Sequence, residues 1–145
     1  MPLTLKLAAA PLCAFALIAS GCGGTSGYKD DLKSANKEFT KAFKKANEKI
    51  RAAKSRQDLS TGFTESKSAI QTLEGKLRTL KPPTKARAAQ AQLLRALDNT
   101  SQDLDTLLGS LRSNTLEKIP GSLTKFAQDL PALDVAGRRL EKQAG

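Results

Sequence analysis

The sequence predicts an all-α chain folded as an antiparallel, up-down four-helix bundle. Three observations carry that expectation. From Asp30 onward the only β-branched aliphatics are Ile50, Ile70, Ile119 and Val135, where strands would want many. Leu, Ala, Lys, Arg, Gln and Glu dominate, and these cost least in a helix. Apolar residues also recur in four stripes at alternating three- and four-residue spacing, with helix breakers between them.

The first helix is expected over residues 30–56. Leu32, Phe39, Phe43, Ala46, Ile50 and Ala53 form its apolar stripe, with Asn36 in the remaining slot. Asp58, Ser60 and Thr61 then offer N-caps for a second helix over residues 60–80. Its stripe is Leu59, Phe63, Ile70, Leu73, Leu77 and Leu80, with Ser66 or Lys67 between. Lys81-Pro82-Pro83 ends it, because a residue before Pro avoids the helical region.

The third helix is expected over residues 84–111. Ala86, Gln90, Leu93, Leu97, Thr100, Leu104, Leu107 and Leu111 make its stripe. Ser113, Asn114 and Thr115 offer caps for a fourth over residues 115–142. Leu116, Ile119, Leu123, Phe126, Leu130, Leu133, Gly137 and Leu140 form that stripe. Pro120 and Pro131 fall inside it, so the fourth helix is expected to be interrupted or kinked there. Connections this short make neighbouring helices antiparallel. Residues 29–145 then form one domain with a thin core.

Residues 1–21 have a different composition. Lys6 is followed by an apolar run from Leu7 to Ala19, then Ser20, Gly21 and Cys22. Thirteen residues are too few for a span, which needs about 20, and they suit the h-region of a signal peptide. The stretch resembles the bacterial lipoprotein signal, whose lipobox ends in small residues and a Cys. Ala19-Ser20-Gly21-Cys22 carries the resemblance, with Ala19 where Leu is preferred. It implies removal of residues 1–21, a diacylglyceryl thioether on Cys22 and an acyl group on the new amine. Palmitate-type chains there would give stable attachment, since two chains anchor where one does so only marginally. A plain secreted protein and an uncleaved anchor helix are the alternatives. Residues 22–28, with Gly23, Gly24 and Gly27, read as a flexible tether. The remainder resembles small helical lipoproteins of unassigned function, and that likeness adds no site residues.

Composition excludes several chemistries. There is no His, the commonest general base and zinc ligand. Cys13 leaves with the signal and Cys22 is lipidated, so no thiol remains for redox work. Ser-x-x-Lys occurs at Ser26/Lys29, Ser34/Lys37 and Ser122/Lys125, but without the Lys-Thr-Gly segment that a penicillin-binding site requires. Asp98, Asp103 and Asp105 lack the Gly turn of a calcium loop, and Asp98 and Asp105 read as a solvated rim. No haem ligand is present, because the only Met is the initiator. No enzyme, cofactor or metal site is expected.

One feature speaks of a partner. At about 100° per residue, Lys33, Lys37, Lys41, Lys44 and Arg51 share an arc of about 80°, interrupted by Glu48. Phe39, Phe43, Ala46 and Ile50 lie opposite. Adjacent like charges on a helix repel by a few tenths of a kcal/mol per pair, and clustering them suits an anionic partner. An ordinary solvated face is the plainer reading. The lipid anchor adds weight to contact, since each basic residue near an anionic leaflet gains about 1 kcal/mol. Nucleic acid is a poor partner: the face has no interleaved aromatic, and the chain is exported. The expectation is a lipid-anchored, non-catalytic binding or adaptor protein of the bacterial envelope. It would sit on the outer face of the cytoplasmic membrane, or on the outer membrane where there is one. Anionic lipid, wall polymer and an envelope protein are the expected partners. A structural or stress-related envelope lipoprotein without a specific ligand is the alternative.

Overall fold

The computed structural model describes residues 26–113 and 115–145, so the signal segment and Cys22 lie outside the described residues. The described chain is all-helical. Four α-helices follow in order: α1 (Ser26–Ala52), α2 (Arg56–Thr79), α3 (Arg87–Arg112) and α4 (Ile119–Ala144). Short 3-10 turns at Thr84–Ala86 and Leu116–Lys118 lead into α3 and α4. None of these helices is long and apolar enough to cross a membrane.

The first boundary corrects the end of the tether expected over residues 22–28, of which 22–25 lie outside the described residues. Helix α1 already begins at Ser26, and Tyr28 is a core residue. Its hydroxyl donates to Gln90 Oε1 at 2.7 Å, which fixes the first turn against α3. Helix α1 also ends four residues before the expected 56. The cause is Ser55, which takes the N-cap of α2 in place of Asp58, Ser60 or Thr61. Ser55 Oγ accepts from the Asp58 N–H at 3.1 Å, and Asp58 Oδ2 accepts from the Ser55 N–H at 3.0 Å. That reciprocal box satisfies two otherwise orphaned donors and starts α2 at Arg56.

Helix α2 stops where the Pro pair predicts. Leu80 is extended, with φ −75° and ψ 140°, just before Lys81-Pro82-Pro83. Helix α4 begins at Ile119 rather than 115. Pro120 lies in its first turn, where an absent N–H costs nothing. Helical conformation then continues through Pro131 to Ala144.

Packing follows the stripes. Helix α1 lies along α2 and α3 along α4, and α2 against α3 joins the pairs; α1 and α4 meet over a short stretch. Every residue of the α3 stripe is buried, and Leu97, Leu104 and Leu107 show no exposed surface. Burying a Leu this fully is worth about 1.5–3 kcal/mol. Gln90 and Thr100 occupy that stripe because each keeps a partner: Thr100 Oγ1 donates to the Ala96 carbonyl at 2.8 Å. Helix α4 is seated unevenly. Leu133, Gly137, Leu140 and Ala144 are buried, whereas Ile119, Leu123, Phe126 and Leu130 are only half-buried. Phe126 still meets Phe63 of α2 edge-on, with ring centroids 6.2 Å apart.

Candidate functional site: the basic face of the first helix

The core side of α1 determines its outer side. Leu32, Phe39, Phe43, Ala46 and Ile50 are buried, so the opposite arc faces solvent. Lys33, Lys37, Lys41, Lys44 and Arg51 are all exposed. Among the described residues none of these five forms a salt bridge. Some cations elsewhere are engaged, while others such as Lys85, Arg87 and Arg95 are likewise exposed without a salt bridge. Lys49 pairs with Glu65, and Lys76 with Glu38, across α1 and α2. Lys67 reaches Asp105 at 2.5 Å between α2 and α3. Lys125 of α4 pairs with Asp103 of α3. Arg51 has a local role as well, because a cation in the last turn meets the negative end of the helix dipole.

Beside the basic face runs a groove of about 270 Å³ between α1 and α2. Ala35, Phe39, Ala42, Ala69 and Leu73 line its apolar part, and Lys45 stands at its edge. The two interhelical ion pairs, Glu38–Lys76 and Lys49–Glu65, involve residues along the same α1–α2 seam. On the α4 side, Asn36 Nδ2 donates to Glu141 Oε1 at 2.7 Å. Burial raises the Glu141 carboxyl above its ordinary value, partly offset by the Asn36 hydrogen bond and the Arg138 charge.

Several of the residues weighed for catalysis have other partners. Ser122 Oγ donates to the Lys118 carbonyl at 3.0 Å, while Lys125 turns to Asp103. Asp98 accepts from Gln102 at 3.1 Å and Asp105 pairs with Lys67, so these two carboxylates are spent on separate neighbours. Among the described residues no three His, Cys, Asp or Glu side chains gather to hold a metal ion.

Asp103 is the buried charge that sequence spacing did not single out. It is 5% exposed, and its Oδ2 has no hydrogen-bond partner. Burial raises its carboxyl; the Lys125 hydrogen bond opposes that, and Asp129 adds to it. The one available signal was Lys125 and Asp129 on the facing helix, which only the helix pairing makes relevant. Ser101 and Ser110 are buried on the same helix for the same reason, because α3 is covered from more than one side.

No protein-family model, curated protein or solved structure matches this chain.

Proposed function

We propose that this chain is a lipid-anchored, extracytoplasmic envelope protein that acts by contact, without catalysis. The basic face of α1 meets an anionic surface, lipid or wall polymer, through Lys33, Lys37, Lys41, Lys44 and Arg51. One observation carries the reading: these five cations lie on one exposed arc of a single helix, opposite its buried face, and none of them holds a carboxylate. Like charges gathered along one face sum to a local positive field that draws anions. Attachment through Cys22 would hold α1 next to the membrane surface, and the opposite side of the bundle would remain open to an envelope protein.

The bundle in this reading is up-down and antiparallel. Three sets of paired positions support it. Residues 38 and 49 of α1 meet 76 and 65 of α2, so rising numbers meet falling ones. Residues 67 and 77 of α2 meet 105 and 90 of α3. Residues 92 and 103 of α3 meet 139 and 125 of α4. A bend near Ala127 belongs to the same reading, since Pro131 has no N–H to donate one turn back.

Two measurements test the proposal. The intact mass of protein extracted from bacterial membranes should equal residues 22–145 plus acyl chains; an unacylated mass removes the anchor. Residues 23–145 should bind an anionic surface, either vesicles or a phosphodiester polymer, lose that binding as salt rises, and ignore neutral vesicles. Equal pelleting with both vesicles, or binding unchanged by Lys33, Lys37, Lys41 and Lys44→Gln, removes the basic face from the contact.

A further inference from the structure

The basic face is a row rather than a patch. By the rise of a helix, Lys33, Lys37, Lys41 and Lys44 stand at axial steps of about 6, 6 and 4.5 Å. Asp30 and Glu48, both exposed, share the same arc and close the row at its two ends. Along the α2 edge the charges are already neutralised, Glu38 by Lys76 and Glu65 by Lys49. Along the α4 edge Glu141 faces Asn36, and Asp134 holds Arg138 at 3.0 Å. Lys45 widens the row at one point, beside the groove. On α1 itself the cations without a carboxylate therefore form a narrow row along the helix axis.

A membrane plane fits such a face poorly. It would touch the row along a line and bring the acidic ends and paired edges to an anionic surface. The face also has no apolar anchor. Helices that lie in a bilayer interface bury their apolar side among the acyl chains, but α1 spends its apolar side on the core. Among the described residues the exposed large hydrophobic is Val135, on α4.

We infer that the Lys33–Lys44 row is a site for an extended polyanion of the phosphodiester-polymer class, lying along the α1 axis. This rests on the anionic-contact reading and narrows it to one partner. A polymer of phosphodiesters joined by short polyol units carries its charges at a step comparable to one helical turn. Such a chain can follow the row lengthwise, each phosphate meeting one ammonium, without pressing on the acids beside it. Binding is by ion pairing with release of condensed counterions, so it is salt-steep and gains with length until the row is filled.

The test uses the full chain in nanodiscs of zwitterionic lipid, titrated with fluorescent poly(glycerol phosphate) of two, four and eight repeats. Four repeats should bind about tenfold or more tighter than two, with eight adding little. The logarithm of affinity should fall with the logarithm of salt at a slope of about −3 for four contacts. Lys37→Gln with Lys41→Gln should weaken binding about tenfold, while Lys85→Gln with Arg95→Gln, an equal loss of exposed charge on the far elements, should leave it unchanged. Equal weakening by the two pairs, or affinity independent of length, overturns the site. Anionic vesicles added at equal phosphate serve as competitor. Displacement of the polymer by them overturns this inference and leaves the broader contact standing. Failure of the discs to bind either polymer or vesicles overturns both.

Discussion

The Tyr28 hydroxyl donates to Gln90 Oε1 at 2.7 Å, and Gln90 Nε2 in turn donates to the Leu77 carbonyl at 2.8 Å. One side chain of α3 therefore ties the first turn of α1 to the last turn of α2. It also gives the Leu77 carbonyl a second donor beside the C-cap N–H of Leu80, which reaches it at 3.3 Å. Burial raises the Tyr28 phenol to about 12, from an ordinary 10.0. A pKa raised on folding gives a stabilisation that is complete below the unfolded value and lost as pH climbs through the folded one. Stability should thus decline between pH 10 and 12, and Tyr28→Phe should remove that decline. At neutral pH the same change should cost about 1–2 kcal/mol, because Gln90 Oε1 is left buried without its donor. The chain has a single Tyr, so ultraviolet titration of tyrosinate reads this residue alone. A midpoint at the ordinary value would refute the burial.

Glycines should respond in opposite directions. A Cβ on Gly62 would lie 2.5 Å from Ile50 Cγ1 and 3.2 Å from the Ile50 backbone nitrogen. The side chain can turn aside, but the backbone can yield only by separating α1 from α2. A Cβ on Gly75 or Gly109 meets nothing within 4 Å. Gly75→Ala and Gly109→Ala should each stabilise by about 0.5–1 kcal/mol through helix propensity. Gly62→Ala should destabilise despite the same propensity gain. Denaturant midpoints for the three variants check this, and a Gly62→Ala gain equal to the others would show that α1 and α2 separate at no cost.

Much of this architecture was legible in the spacing of apolar residues. All eight positions of the α3 stripe are buried, and Asn36 fills its slot on α1 as a buried polar residue. The basic arc was legible for the same reason, since one helical period fixes both faces. What spacing could not show was anything set by contact between helices. Tyr28 read as tether because three glycines precede it, yet its partner lies 62 residues away. Asp103 stood in the sequence only as a member of a three-carboxylate cluster with Asp98 and Asp105, and the approach of α4 buries it. The α2 start was misplaced because Asp58 looks like a cap; it is the third residue of a box whose cap is Ser55.

That box gives a prediction at acid pH. Asp58 is lowered below its ordinary value by its hydrogen bond with Ser55, with the Lys54 N–H also donating to it. A lowered carboxyl contributes stability above its unfolded pKa and loses it as pH falls through the folded value. Ser55→Ala should cost about 1 kcal/mol at neutral pH. Below the ordinary carboxyl value of 3.8 the penalty should shrink, because the wild type loses the Asp58 half of the box there too. Thermal denaturation of both proteins across the acid range measures the difference. A penalty that does not change with pH would mean that Ser55 acts without Asp58.

The Asp103–Lys125 pair should behave as a buried charge held from one side. Lys125 is mostly solvated, whereas Asp103 is enclosed and has one oxygen unpartnered. Removing the cation leaves the carboxylate uncompensated, so Lys125→Met should lower Tm by several degrees. Replacing both groups should be much milder, since a buried pair exchanged for apolar groups of similar volume is often neutral or stabilising by about 1–4 kcal/mol. Asp103→Leu with Lys125→Met should therefore recover most of the loss. The pH dependence follows from the direction of the Asp103 shift. Burial raises this carboxyl above 3.8, so the folded state favours its neutral form. The resulting stabilisation is complete below 3.8 and fades as pH rises through the folded value. Relative to the double variant, the wild type should be strongest in acid and lose ground toward neutrality. Urea titrations of the two proteins at several pH values read that difference directly, and a gap that stays flat would place the Asp103 carboxylate in water rather than between α3 and α4.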